Sequence, residues 1–122
     1  MSLFVVLEHE SHRGLHWDFM FQTGSALATW ALGEVPGSAE PVICEALPDH
    51  RLEYLDYEGP ISGGRGSVSR WDRGTCVVES RTDTEVVLAL QGDKLTGRVT
   101  LARVPGETNR WRFSYLSGGP EP

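Results

Sequence analysis

A chain of 122 residues, 39% of them hydrophobic, suits a single domain with its own core. With 17 acidic against 11 basic residues the formal charge is -6, which excludes broad nucleic-acid binding through a basic surface but leaves room for a small local basic pocket. Two cysteines, no basic leader and no apolar run of membrane-spanning length lead to the expectation of a cytoplasmic, reduced protein with both thiols free and no membrane partner.

Residues 3–9 are an apolar, β-branched run, read as a strand buried on both faces that delivers His9 at its end. A turn over residues 11–14 leads into residues 15–22, where Leu15, Trp17, Phe19 and Phe21 alternate with His16, Asp18 and Met20. That alternation predicts a strand with one apolar face, and His16 and Asp18 share the other. Residues 26–32 follow as the next strand of a hairpin with Trp30 in the core, and residues 33–41, broken by two prolines and two glycines, are a surface loop. Residues 41–47 suit a strand or a short helix. Pro48-Asp49-His50 reads as a turn, with His50 at the entrance of a strand over residues 51–58.

Residues 59–67 hold four glycines without the Lys-Ser/Thr order of a nucleotide-phosphate loop, so tight turning is their use. Further strands are expected at 68–71, 75–79, 85–91, 94–104 and 110–116, the first two joined at Asp72-Arg73-Gly74. No stretch beyond about ten residues keeps a helical period. The whole predicts an all-β, mainly antiparallel domain over residues 1–117, a small closed or partly closed β-barrel with at most one or two short helices, followed by a disordered tail at 118–122. A metal-centred pocket is expected near one barrel mouth.

The chemistry concentrates between His9 and Asp18. Imidazole and carboxylate at i and i+2 on a strand, with His9 returning across the turn, offer two nitrogens and one oxygen to a divalent ion and leave positions open for substrate and water. A polar solvent face gives the same pattern without any metal. The pair His16-x-Asp18 with a distant histidine is also the pattern of a non-haem iron oxygenase.

The order of motifs resembles the phosphoesterase domain of bacterial DNA ligase D, the part that trims 3′ ends before sealing. The resemblance runs from Phe4-Val5-Val6 and His9 through Leu15-His16-Trp17-Asp18-Phe19, Trp30-Ala31, Asp49-His50, Leu52-Glu53-Tyr54 and Asp56-Tyr57-Glu58-Gly59. It continues through Trp71-Asp72-Arg73-Gly74-Thr75 to Gly92-Asp93-Lys94-Leu95-Thr96-Gly97-Arg98. It implies that His9, His16 and Asp18 hold Mn²⁺, with Zn²⁺ or another transition metal as the alternative, and that His50 is the catalytic histidine at the reacting phosphate. The implied partners are a nucleic-acid 3′ end or a smaller phosphoester, in the company of DNA-repair proteins.

The departures concern phosphate binding. Met20 stands where the family has an arginine and Glu34 where it has a lysine, while Arg65, Arg13 and His12 are the candidate replacement cations. The readings are therefore a metal-dependent phosphoesterase of reduced activity, or a catalytically degenerate binding module on the same barrel, with the oxygenase as a minor third.

Overall fold

The two-residue periodicity of the apolar runs is realised as nine strands among residues 1–118, the residues described by the computed structural model. They are β1 (Ser2–Ser11), β2 (Gly14–Thr23), β3 (Ala26–Leu32), β4 (Val42–Arg51), β5 (Gly59–Pro60), β6 (Ser67–Arg81), β7 (Glu85–Gly92), β8 (Thr96–Arg103) and β9 (Arg110–Ser117). One 3₁₀ turn, Leu52–Leu55, lies between β4 and β5. The strands pair antiparallel in the order β1-β2-β3-β4-β9-β8-β7-β6, and a β1–β6 ladder closes the ring, with β5 added outside on β6. The expected all-β barrel is therefore the fold. Its weakest seam is β4–β9, where the ladder spans only residues 42–45 against 110–113 and ends with Ala46 N–H donating to Asn109 O.

Two bulges decide where the polar side chains point. On β4, Leu47 pairs with Thr29 but His50 pairs with Leu27, so two residues, Pro48 and Asp49, face one. Simple alternation would send positions 47 and 50 to opposite faces, and the bulge returns both to the same one. Pro48 has no N–H to offer a ladder, which is why it is tolerated at a bulge. On β6, Asp72 pairs with Val6 and Arg70 with Leu7, leaving Trp71 as the extra residue. Arg70 then faces outward and Asp72 inward.

These bulges explain where the sequence-based expectations fail. Pro48 to His50 is not a turn but part of the end of β4, which is a strand and not a helix, and the strand expected over residues 51–58 is absent: Arg51 ends β4, and residues 52–58 are the 3₁₀ turn and its exit. Residues 72–74 do not join two strands; β6 runs straight through them. β8 starts at Thr96 because Lys94 and Leu95 complete a turn closed by Gly92 N–H donating to Leu95 O. In the expected tail, Gly118 N–H donates to Thr96 O, and residues 119–122 lie outside the described residues.

Among the described residues there are two apolar cores. One draws on every strand of the ring, with Phe4, Val6, Phe19, Phe21, Trp30, Leu32, Cys44, Cys76, Leu88, Val99, Trp111 and Phe113 among its members, so it is the barrel interior. The second is small and lies on the outer face of β1, β2, β3 and β6: Val5, Leu7, Met20, Leu27 and Val68, capped by Leu55 from the 3₁₀ turn. Leu52, Tyr54, Tyr57 and Ile61 pack onto it, making residues 52–66 a flap over the outside of the barrel. The residues of β1 are thus buried on both faces, as the unbroken apolar run predicts.

Cys44 and Cys76 are free and buried in the barrel core. Burial pushes the Cys44 thiol up to about 12 and Cys76 up to about 11. Folding therefore favours the protonated thiols, and their contribution to stability is complete below an ordinary thiol pKa and fades as pH rises from there toward the folded values. At pH 8 an aromatic disulfide reagent is expected to label neither cysteine in the native protein and both in denaturant. Fast native labelling would show that β4 or β6 opens readily.

Candidate metal centre and adjoining cavity

The β1–β2 hairpin turns over His12 and Arg13, with Ser11 paired to Gly14, and this register puts His9 directly opposite His16. Asp18, two residues on, shares their face. The ligand atoms of His9, His16 and Asp18 all lie within 4.8 Å of one another. His9 Nδ1 is 3.3 Å from Asp18 Oδ2, and His16 Nε2 is 3.0 Å from Asp18 Oδ1. Asp18 is only 5% exposed. The His16 imidazole is raised above its ordinary pKa first by its close polar approach to the Asp18 carboxylate, with burial opposing and the Asp18 charge reinforcing.

The donor set fits a transition-metal ion on two observations. His9 Nε2 lies 2.7 Å from the Arg65 carbonyl oxygen, which can only accept, so the ring proton sits on Nε2 and a neutral His9 presents the bare Nδ1 lone pair to a carboxylate oxygen. Two lone pairs so placed repel unless the ring is imidazolium or a cation lies between them, and a backbone carbonyl on the far nitrogen is the usual support of a metal-ligating histidine. The second observation is that Asp18 Oδ1, although buried, receives no aligned hydrogen bond, the approach of His16 being close but off-axis.

A cavity of about 290 Å³ opens beside His9 and Asp18, between the outer face of the barrel and the flap. His50 and Arg65 line it, with Met20, Leu7 and Val68 among the apolar lining residues and Pro48, Tyr54 and Ile61 alongside. The site is therefore outside the barrel and not at a mouth as expected, because Phe4, Val6, Phe19 and Phe21 fill the inward positions of the same two strands. His50 reaches the cavity only through the β4 bulge. Its Nδ1 donates to Pro48 O at 2.9 Å, which leaves Nε2 to exchange a proton. Arg65 holds its guanidinium against Ser62, with Nε donating to the Ser62 carbonyl at 2.8 Å.

His12 and Arg13, in contrast, sit at the exposed hairpin turn and do not line the cavity, and Glu34 lies in the exposed loop after β3. Met20 is 1% exposed within the outer core, so an arginine there would have to bring its guanidinium out of an apolar cluster to reach the cavity. Tyr54 and Ile61 escaped the sequence reading because the flap was taken for a strand and a turn.

The flap depends on Gly66. Its φ is +89°, and a Cβ there would stand 1.8 Å from Glu10 O. A Gly66→Ala protein is expected to lift residues 61–66 off β1, to lose the His9 to Arg65 hydrogen bond, and to weaken a bound metal by about ten- to hundredfold, the usual cost of a lost supporting partner. Calorimetry with Mn²⁺ measures it, and unchanged affinity would show that the Arg65 carbonyl does not orient His9.

The family model described as the DNA ligase D 3′-phosphoesterase domain matches residues 7–103, which include the triad, His50 and Arg65. The chain belongs to this family. Among relatives of this phosphoesterase-domain chain, the multifunctional non-homologous end joining DNA repair protein LigD of Mycobacterium tuberculosis is 35% identical over 119 residues, covering 90% of this chain and 15% of that protein. The multifunctional non-homologous end joining protein LigD of Pseudomonas aeruginosa is 34% identical over 120 residues, 88% of this chain and 14% of its own length. That of Mycolicibacterium smegmatis is 28% identical, covering 85% and 16%. The chain spans only about a seventh of the length of these LigD proteins. No helix among its described residues is long and apolar enough to cross a membrane.

Proposed function

We infer that this chain is a metal-dependent phosphoesterase of the ligase D type, acting on nucleic-acid 3′ ends or on a smaller phosphoester. The observation that carries the reading is the convergence of His9, Asp18, His50 and Arg65 on one cavity, with His16 across the hairpin from His9. His9 through Nδ1, His16 through Nε2 and Asp18 would hold the ion, Mn²⁺ first and Zn²⁺ or another transition metal as alternatives. Bound there, a divalent cation supplies Lewis acidity to a phosphoryl oxygen and lowers the pKa of water.

The chain's own residues do the rest. His50, with its Nδ1 proton tied to Pro48 O, is oriented to give a proton from Nε2 to a leaving oxygen. Arg65 offers a cation to phosphate from the flap. The apolar walls lower the local dielectric and strengthen the electrostatics beside them.

One observation favours the second reading, a binding module that turns nothing over. Where the family has a phosphate-gripping arginine this chain has the buried Met20. Family membership gives no support to the oxygenase reading. The deciding assay incubates end-labelled 3′-phosphorylated and 3′-ribonucleotide-ended DNA, and phenyl phosphate, with and without Mn²⁺. Turnover of any of them that requires Mn²⁺ is the expected result. Mn²⁺ binding with no turnover of any of the three would replace the enzyme with the binding module.

A further inference from the structure

The cavity beside the triad has two chemically different linings. His9, Asp18, Asp49, His50, Arg51 and Arg65 make up the polar one, and Leu7, Met20, Pro48, Val68, Tyr54 and Ile61 the largely apolar one. Leu7, Met20 and Val68 are members of the outer core, and Tyr54 and Ile61 are packed against it, so the apolar lining is built into the fold. About 290 Å³ is room for a small molecule.

Carboxylates stand beside two of the arginines around the flap. Arg51 Nε is 3.4 Å from Glu53 and Arg73 is 3.0 Å from Asp56. A polynucleotide backbone draws its affinity from several lysines and arginines set along its track. Here acidic residues are interleaved with the arginines of the flap, and the net charge of -6 works against a polyanion.

We propose that the site takes a small phosphomonoester whose alcohol part is apolar, an aryl or branched alkyl group, in preference to the end of a polynucleotide. The phosphoesterase reading supplies what happens at phosphorus, and the apolar lining supplies what is attached to it. In the hydrolysis, the oxygen of water forms the new bond to phosphorus as the bond from phosphorus to the ester oxygen breaks. The alcohol leaves with a proton from His50 Nε2, and the proton lost by water passes to solvent, from which His50 is recharged.

The test is calorimetric titration of the full chain in Mn²⁺ with phenylphosphonate, methylphosphonate and a 3′-phosphorylated deoxyoligonucleotide. Burying a phenyl-sized group predicts that phenylphosphonate binds about ten- to hundredfold more tightly than methylphosphonate, and that the oligonucleotide binds no more tightly than methylphosphonate. Ile61→Ser is expected to shrink the phenyl advantage to about threefold or less, since it removes part of the apolar lining. Equal affinity for the two phosphonates, or tightest binding by the oligonucleotide, overturns the proposal whatever the variant does. Failure of all three probes to bind overturns it together with the phosphoesterase reading. Hydrolysis separates the two ideas: selective phenylphosphonate binding without turnover of phenyl phosphate removes only the enzyme, and oligonucleotide turnover without phenyl preference removes only the proposed substrate class.

Discussion

Asp18→Ala is expected to abolish Mn²⁺ binding and all metal-dependent turnover. A site of two imidazoles and one carboxylate binding at micromolar concentrations is worth about 8 kcal/mol. Removing its only anionic ligand should cost at least about a thousandfold (~4 kcal/mol), enough to carry a micromolar affinity into the millimolar range and out of calorimetric reach. The companion variant separates binding from chemistry. His50 lies across the cavity and is not among the clustered ligand atoms, so His50→Ala should bind Mn²⁺ as the unmodified protein does while turnover drops by about 10² to 10⁴, the usual contribution of a positioned acid. Unchanged Mn²⁺ affinity in Asp18→Ala would place the ion elsewhere, and unchanged turnover in His50→Ala would assign the proton to another group.

Asp72→Ala is expected to have the largest effect on the fold. Turned into the barrel by the β6 bulge and 2% exposed, the Asp72 carboxylate accepts from the backbone N–H groups of Arg73, Asp93 and Lys94 through Oδ1 and of Leu95 through Oδ2, at 2.8 to 3.1 Å. It organises the whole β7–β8 turn. Alanine would strand several of these donors, and charge-assisted bonds of this kind are worth roughly 1.5 to 3 kcal/mol each, partly recovered where water can enter. We expect a loss of about 3 to 5 kcal/mol, a large part of the stability of a domain this size, and a Tm lower by roughly 12 to 20 °C. Gly92 closes the same arrangement, since a Cβ there would stand 2.5 Å from Asp72 Oδ2 and 2.6 Å from the Phe4 ring. Thermal unfolding of Asp72→Ala within a few degrees of the unmodified protein would mean that the turn holds itself.

The triad was legible in the sequence because it depends on local periodicity alone. His16 and Asp18 share a face by alternation, and a short hairpin suffices to bring His9 beside them. The barrel was legible too, from regular short runs of alternating residues. What alternation could not reveal is where it is interrupted. Pro48 inside an otherwise regular run is the written trace of the β4 bulge, yet the same residues also fit a turn, and only pairing with Leu27 and Thr29 decides between them. Trp71 leaves no such trace, so the inward aim of Asp72 was invisible. The flap was misread because Leu52, Tyr54 and Leu55 bury against an outer core that forms only once β1, β2, β3 and β6 are side by side. The side of the barrel on which the cavity lies follows from that same long-range packing.

The short β4–β9 seam gives the closed ring a line along which it can part. Hydrogen bonding across every other junction extends well beyond the stretch that joins residues 42–45 to 110–113. Amide exchange in this protein should accordingly be fastest, within the ring, along that junction. Because β4 also carries His50 at its far end while His9, His16 and Asp18 ride on the firmly paired β1–β2 hairpin, any breathing of the seam shifts His50 relative to those three residues without disturbing them. The distance between His50 and the cluster of His9, His16 and Asp18 is thereby left to the least constrained strand of the ring, so a graft that lengthens the β4–β9 ladder is expected to alter any turnover from the opposite end of the strand.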